Sequence, residues 1–327
     1  MKIVIMGSGG VGGLFGSMLA RSGDDVWFVA RGNHLAAMRR NGLRVNMSGE
    51  SSVVPPGKMT DNLRDIGAAD VVLFCVKSYD TEEAASRLDP VLTDQSIVVS
   101  LQNGVDNETM LQKTISRGTV YGGVAYVYCT ITEPGVLTEP GGPRKIVFGP
   151  LSPSGDRNSA QAILDTFLRA GITAELSNDI AIPLWKKFTF ISAVGGLTAL
   201  TRLTLGELLE VDATRSMLSD AMRETDSVAR NKGITLEHDH IDTVFESLRK
   251  YDNNTRSSLY HDLIHGKPME VEALSGTVFR YGLATGIPTP IHRTIYASLL
   301  PYHLKHMAAR NARQQDPPKS NATSPDN

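Results

Sequence analysis

The first half of the chain alternates short apolar runs with patterns of helical period. The clearest runs are Ile3–Met6, Val26–Val29, Val71–Phe74 and Ile97–Val99, and none of them contains a polar residue. Strands that are apolar at every position are typical of parallel sheets covered by helices on both faces. The pattern therefore predicts an α/β fold that begins with a Rossmann-like, doubly wound sheet.

The strand patterns end shortly after the midpoint of the chain. The later predicted strands fall within Gly118–Thr132, at Val136–Thr138, at Lys145–Phe148 and at Ile172–Leu176. After about Asn178 only helical patterns follow, namely Leu184–Leu200, Ala213–Lys232, Asp239–Tyr251, Met269–Thr285 and His292–Ala309. Gly286 and Pro288 mark a helix exit. We therefore expect a nucleotide-binding domain over 1–178, an all-α domain over 179–312 and a polar, disordered tail over 313–327.

Composition narrows the class of protein. The chain has 327 residues, 41% of them hydrophobic, and a formal net charge of −2, so nothing points to binding of nucleic acid or of a membrane surface. No apolar stretch approaches the roughly 20 residues of a membrane-spanning helix, and no signal peptide is recognisable. The chain has two cysteines, Cys75 and Cys129, too few for a disulfide framework, and they do not form a CxxC pair. We expect a cytoplasmic protein.

A glycine-rich motif follows the first predicted strand directly. Its residues are Gly7-Ser8-Gly9-Gly10-Val11-Gly12, which match GxGxxG. In dinucleotide-binding folds the first glycine permits a tight turn, the second lets the backbone approach the pyrophosphate, and the third allows close helix packing. A purely structural glycine turn is the alternative, but the position between a strand and a helix favours dinucleotide binding.

The end of the second strand bears on which dinucleotide binds. NAD-binding folds usually place a carboxylate there to bind the ribose 2′-hydroxyl, whereas this chain has Arg31. Asp24 and Asp25 come before the strand, too early for that task. Because a guanidinium can form charge-assisted bonds with a 2′-phosphate, Arg31 favours NADP(H). The alternative is a solvated loop arginine.

Two further strand ends should meet the same crevice, since ligands bind outside the carboxyl ends of parallel strands. One of them carries Lys77 and the other carries Asn103, followed by Gly104. Taken singly, Lys77 could be a solvated cap and Asn103 part of a turn. Together with the glycine motif they become candidate crevice residues.

These motifs, taken with later ones, resemble the ketopantoate reductase (2-dehydropantoate 2-reductase) family over nearly the whole chain. The later motifs are Leu184-Trp185-Lys186-Lys187, Leu197-Thr198-Ala199-Leu200, Gly206-Glu207-Leu208, and Ser257-Ser258 followed by Asp262 and Glu270. The resemblance implies a Rossmann domain, a helical domain and an active site between them. It also implies NADPH-dependent reduction of 2-dehydropantoate to (R)-pantoate, a step toward pantothenate and coenzyme A.

The resemblance also assigns residues. Lys187 corresponds to the family's catalytic lysine, Glu270 to its site glutamate, Ser258 to its substrate-contacting serine and Asn103 to its cleft asparagine, while Lys77 matches the lysine at the cofactor edge. A lysine suits ketone reduction, because its ammonium stabilises the developing alkoxide and can then donate a proton.

Each assignment has a structural alternative. Lys187 could extend from a buried helix to the surface, Glu270 could be favoured by a helix dipole, and Ser258 could cap a helix. Lys186 should leave the helix about 100° away from Lys187 and be solvated. The histidines show no metal-binding pattern, so no metal is expected.

The chain departs from the family at the substrate side. Asparagines that many members carry one and two turns after the catalytic lysine are replaced by Ile191 and Gly195, and a third is replaced by Thr255. The identity of the 2-oxo acid therefore stays open, with another branched 2-oxo acid as the alternative substrate. A non-catalytic NADP-binding regulator is the alternative from another class. The sequence leaves the oligomeric state open, including a homodimer.

Overall fold

The apolar runs of the first half form the central strands of a sheet in a computed structural model that describes residues 1–152 and 157–315. The strands are β1 (Lys2–Met6), β2 (Asp25–Val29), β3 (Leu43–Met47), β4 (Glu50–Val54), β5 (Met59–Thr60), β6 (Val71–Phe74), β7 (Ile97–Ser100), β8 (Thr119–Tyr126), β9 (Thr130–Glu133), β10 (Val136–Glu139), β11 (Lys145–Pro150) and β12 (Thr173–Leu176). The helices are α1 (Gly10–Arg21), α2 (Gly32–Asn41), α3 (Thr81–Ser86), α4 (Asn107–Thr114), α5 (Arg157–Arg169), α6 (Ala181–Thr201), α7 (Leu205–Glu210), α8 (Asp212–Asn231), α9 (His240–Leu248), α10 (Ser258–Ile264), α11 (Thr277–Thr285) and α12 (Pro290–Gln315).

The main sheet has the strand order β12-β11-β8-β7-β6-β1-β2-β5. Neighbours from β8 to β5 are parallel, while β11 runs antiparallel to β8 and parallel to β12. In the centre, Ile5 lies opposite Phe28 of β2 and Leu73 of β6. The α/β prediction with an N-terminal, doubly wound sheet is confirmed.

Both faces of this sheet are covered, which explains the unbroken apolar runs. Ile3 and Ile5 of β1 pack against Leu14 and Phe15 of α1. The alternate residues of β1 point into a second core on the opposite face, beside Ala84 of α3 and Leu111 of α4. In sheets of this kind ligands bind outside the carboxyl ends of the strands, so a binding site is expected in the loops at those ends.

A second, four-stranded sheet has the order β4-β3-β10-β9. β3 and β4 were not predicted, because β3 alternates buried and exposed residues instead of forming an unbroken apolar run. Leu137 of β10 and Val45 of β3 join the core that α1 shares with the main sheet. The consecutive strands β10 and β11 lie in different sheets.

Beyond Thr189, the described residues contain helices and no strand, as expected for the C-terminal half. The predicted helix over Met269–Thr285 is instead a π-helix, Glu272–Gly276, followed by α11. α11 ends at Gly286, whose φ of +74° is the left-handed conformation expected of a glycine exit. Across the described ranges, no helix has both the length and the apolarity needed to cross a membrane.

Two compact units divide the chain, the first ending at Phe188 and the second beginning at Thr189. This division lies inside α6, after Ile180 and Leu184, which pack against Val124 and Val147 of the main sheet, and the domain boundary at 178 stays a prediction. α12 reaches Gln315, beyond position 313 where the tail was expected to begin. The rest of the predicted tail, 316–327, lies outside the described residues.

Candidate functional site

The glycine motif forms the turn between β1 and α1. Gly7 has a φ of +102°, a conformation that favours glycine, and a Cβ there would lie 2.8 Å from the Val76 nitrogen. A Cβ at Gly10 would lie 2.1 Å from the Cys129 oxygen, and one at Gly12 would lie 2.2 Å from the Gly7 oxygen. A side chain at any of these three positions would clash with backbone atoms, so this turn requires glycine at each of them.

Gly9 differs from the other glycines of the motif. A Cβ at this position would meet nothing within 4 Å, so the backbone borders open space at the N-terminus of α1. Within the described part of the chain no side chain caps this end of the helix, and the first-turn N–H groups, including that of Val11, have no intrahelical acceptor. Open space beside unpartnered amides suits a pyrophosphate, so the residues present fit a dinucleotide.

Two polar side chains fix the shape of this loop. The buried Ser8 donates from its N–H and its hydroxyl to the Val29 oxygen, each over 3.0 Å. His34 of α2 lies 3.0 Å from the Ser8 oxygen through Nε2, and its Nδ1 accepts the Gly135 N–H over 3.0 Å. Because Nδ1 accepts, the proton sits on Nε2, and burial lowers the pKa of the ring. Sequence reasoning missed His34, whose only signal is its place three residues after Arg31.

Arg31 precedes α2 and pairs with Asp80. The Arg31 side chain is 51% exposed, whereas that of Asp80 is 10% exposed. A guanidinium anchored on one side by a carboxylate is held in a defined orientation while its other side stays accessible. Asp80 was not singled out from the sequence, although it follows Lys77 by three residues.

The ends of β6 and β7 meet, as predicted for crevice-lining strands. Gln102 is buried and donates through Nε2 to the Val76 oxygen over 2.9 Å and to the Thr81 hydroxyl over 2.8 Å. These bonds join the segments that carry Lys77 and Asn103. Lys77 is half-buried and directly precedes a short 3₁₀-helix, Ser78–Asp80.

Lys187 lies against the same strand ends. Its ammonium donates to Asn103 Oδ1 over 2.9 Å and to the backbone oxygen of Ala125 in β8 over 2.8 Å. An ammonium has only donors, so both bonds fit its chemistry and fix its position. The structure thus brings Lys187 and Asn103 into contact, two residues far apart in the sequence. Ala125 acts through its backbone, which leaves no side-chain signal in the sequence.

The start of α6 orients this lysine. Trp185 and Phe188 are buried with their rings in edge-to-face contact, 5.4 Å between centroids. Lys186 is half-buried, whereas full solvation was expected. Its side chain therefore packs along the protein surface rather than extending into water.

In the second unit, Ser257 and Ser258 have different positions at the start of α10. Ser257 is the N-cap of α10 and accepts the Tyr260 N–H over 3.1 Å, so the capping alternative considered for Ser258 belongs to Ser257. Ser257 also accepts from the Thr198 hydroxyl over 2.7 Å and donates to the Gly195 oxygen over 3.2 Å. Ser258 is exposed at the first position of the helix.

The motif Gly206-Glu207-Leu208 has a structural task. Glu207 and Thr204 form a reciprocal capping box at the start of α7. The Gly206 N–H donates to the Asn253 oxygen over 2.9 Å, and a Cβ at Gly206 would lie 2.7 Å from the Asn253 Cβ. This packing supports the loop that leads into the serine pair.

Glu270 also belongs to the second unit and is buried. It lies in a turn just before the continuous helical segment formed by the π-helix and α11, and its backbone oxygen accepts the Leu274 N–H over 3.1 Å. π-Turns interrupt helices frequently at functional sites. This position fits both a site role and the favourable effect of a helix dipole, so the role of Glu270 stays a prediction.

Comparison with known proteins gives consistent matches. The family model described as "Ketopantoate reductase PanE/ApbA" matches residues 3–153, and that of its C-terminal part matches residues 179–303. A 2-dehydropantoate 2-reductase of Archaeoglobus fulgidus is 32% identical over 296 residues, 90% of this chain and 95% of the relative. A PanE/ApbA family ketopantoate reductase from Ralstonia eutropha JMP134 superposes with a TM-score of 0.85 at 33% identity, covering 94% of this chain and 100% of that one.

A further solved structure shares the fold. D-mandelate dehydrogenase, solved with NADH and anilino(oxo)acetate, superposes with a TM-score of 0.84 at 22% identity, covering 95% of this chain and 99% of that one.

Proposed function

The chain belongs to the ketopantoate reductase family of pyridine-nucleotide-dependent oxidoreductases, and from that premise we propose that it reduces 2-dehydropantoate to (R)-pantoate with NADPH, in the cytoplasm. The observation that carries the proposal is the position of the Lys187 ammonium between Asn103 Oδ1 and the Ala125 oxygen. That arrangement presents a fixed cation beside the strand ends at which the glycine loop lies.

The proposed mechanism assigns the polar steps to residues of this chain. When bound, the reduced nicotinamide supplies the hydride for the C2 carbonyl of the substrate. Lys187 stabilises the negative charge that develops on the carbonyl oxygen and then transfers a proton to it, which yields the 2-hydroxy acid. Asn103 and Ala125 restrict the ammonium to one position, so that little reorientation is needed during the reaction.

Roles in the second unit follow from residue chemistry. Glu270 is assigned to accept a hydrogen bond from the substrate hydroxyl, a task that an ionised carboxylate can perform. Ser258 is exposed and not occupied by capping, so its hydroxyl is assigned to contact the substrate. Both assignments rest on family resemblance together with these local positions.

The choice of NADPH rests on the residues after β2. Arg31 follows this strand where NAD-binding folds usually place a carboxylate, and about half of its side chain is exposed. Its exposed side would bind the 2′-phosphate, with Asp80 holding the guanidinium from behind and Lys77 adding a second cation at the cofactor edge. The amides at the start of α1 would bind the pyrophosphate.

A second candidate is reduction of a different 2-oxo acid with a larger or less polar side chain. Ile191 and Gly195 provide no side-chain hydrogen-bonding group where many relatives carry asparagines. A Cβ at Gly195 would meet only Leu274, at an unstrained 3.7 Å, so glycine is not required there by packing. This part of α6 therefore favours apolar contacts over hydrogen bonds to a hydroxylated substrate.

Turnover with a panel of 2-oxo acids tests the proposal. Absorbance of NADPH and of NADH is followed with 2-dehydropantoate, 3-methyl-2-oxobutanoate and phenylglyoxylate, and the hydroxy-acid product is identified by chromatography. The highest kcat/KM is expected for 2-dehydropantoate with NADPH. A preference for either other acid selects the second candidate, and NADPH binding without any turnover would instead indicate a regulator.

A further inference from the structure

A histidine of α12 contacts the backbone directly before Glu270. His303 is 5% exposed, and its Nδ1 accepts the N–H of Met269 over 3.1 Å. One turn later, His306 donates through Nδ1 to the Lys267 oxygen over 2.9 Å. α12 thus holds the segment that leads into Glu270 at two backbone atoms on either side of Pro268.

The same helix also anchors the segment that follows Glu270. The Tyr296 hydroxyl donates to Glu272 Oε1 over 2.8 Å, at the first residue of the π-helix. The Gly276 N–H reaches back five residues to the Val271 oxygen over 2.9 Å, which closes the π-turn. Glu270 therefore lies between two attachments to α12, and its backbone direction depends on both of them.

The bond to Met269 demands one form of the His303 ring. Nδ1 can accept an N–H only when it carries no proton, so the neutral ring is protonated at Nε2. Burial lowers the pKa of His303 and outweighs the opposing effect of Glu272. The neutral form of the ring is therefore favoured near pH 7. His306 is the other titratable group that acts on this ring, and it disfavours the charged form.

We propose that His303 is a positioning residue for Glu270: by accepting the Met269 N–H at Nδ1, it sets the backbone from which the Glu270 carboxylate projects. The inference rests on the proposed function of Glu270 as a substrate contact. Because the backbone around Glu270 sets the direction of its Cα–Cβ bond, loss of this bond displaces the carboxylate. A displacement of about 1 Å at such a group can lower catalysis about 100-fold.

The test compares three substitutions of His303 in the full chain. His303→Asn places an amide oxygen where Nδ1 lies, so it should retain the bond. His303→Gln places its polar atoms one bond farther out, and His303→Leu removes the acceptor. The matched control is His292→Leu, which removes the ring of another buried histidine of α12, whose Nε2 bonds to Thr225 and to the Ala221 oxygen. The readouts are kcat and KM for the best 2-oxo acid, the NADPH Kd, and hydrogen exchange of the peptide that spans residues 267–276.

We expect His303→Leu and His303→Gln to lose 10- to 100-fold in kcat/KM with an unchanged NADPH Kd, and to exchange faster in that peptide. His303→Asn should restore most of both, while His292→Leu should lower Tm without either effect. Equal losses for Asn and Leu, or wild-type exchange and activity in His303→Leu, would overturn the proposal. Because exchange requires no substrate, an inactive wild-type enzyme would contradict the proposed function, while the exchange data would still decide whether His303 orders this segment.

Discussion

Glu108 provides the most quantitative prediction, because burial of its carboxyl group raises the free energy of ionising it. It lies in the first turn of α4, is 4% exposed, and neither of its carboxyl oxygens has a hydrogen-bond partner among the described residues. Burial raises its pKa from 4.5 to about 7, against the smaller opposing effects of its own backbone N–H and of the Ser100 hydroxyl, and the negative charge of Asp106 adds a little to the shift. The helix N-terminus favours a negative charge here, but by about 1 kcal/mol or less, so burial dominates.

The sign and size of the effect follow from linkage. A pKa that is higher in the folded state means that the folded chain holds the proton more tightly than the unfolded one. The cost of ionising Glu108 is therefore absent below about pH 4.5 and complete above about pH 7. At 1.36 kcal/mol per pKa unit, the complete cost is about 3 kcal/mol. Glu108→Gln keeps the shape, removes the titration, and should stabilise the protein by about that amount at pH 8.

Equilibrium unfolding in urea at pH 5 and pH 8, followed by circular dichroism, measures this difference. At pH 8 the variant should gain about 3 kcal/mol, or about 6–12 °C in Tm for a unit of this size. At pH 5 most of the gain should vanish. Glu83→Gln, which changes an exposed glutamate in the first turn of α3, is the matched control and should stay within about 0.5 kcal/mol at both pH values. An equal gain at both pH values, or none at pH 8, would refute the reasoning.

Three further predictions concern the site. Lys187→Ala should lower kcat about 10²–10⁴-fold with a nearly unchanged NADPH Kd, whereas Lys186→Ala on the same helix should retain activity. Steady-state kinetics and fluorescence titration measure both quantities, and loss of activity in Lys186→Ala alone would show that the wrong lysine was assigned. Arg31→Ala should weaken NADPH binding by about 1.5–3 kcal/mol and leave NADH binding almost unchanged; equal losses by calorimetry would contradict the 2′-phosphate role. Gly9→Val should abolish dinucleotide binding at a near wild-type Tm, because its side chain enters open space; full NADPH binding would show that the pyrophosphate lies elsewhere.

Local patterns sufficed for the sheet core and for the nucleotide loop. The central strands were predictable because burial on both faces requires unbroken apolar runs, as in β1 and β6. The loop was predictable because its tight turn and its close contacts require glycine at defined spacing, and Gly7 and Gly12 satisfy both demands. The roles of Lys187, Asn103, Ser258 and Glu270 remain predictions, supported by the family to which the chain belongs.

Other features depend on partners that local patterns do not identify. β3 pairs with β10 across a long stretch of intervening chain, so neither strand by itself indicates the second sheet. The π-turn after Glu270 could not be predicted from the period of apolar residues, since a π-turn and a regular helix share nearly the same apolar spacing. The division between the two compact units, inside α6, could not be located from the sequence, because a continuous helix carries no local mark of where its neighbours change.

The sequence by itself determined which segments are strands or helices and which chemistry is present, because burial, glycine geometry and charge act over a few residues. Only the tertiary structure decided which groups meet. The Lys187 ammonium reaches Asn103 and a backbone oxygen of β8, Arg31 pairs with Asp80, and His303 accepts the N–H of Met269. Each of these contacts joins residues that are distant in sequence. The packing of whole helices and strands brings the two partners within hydrogen-bonding distance.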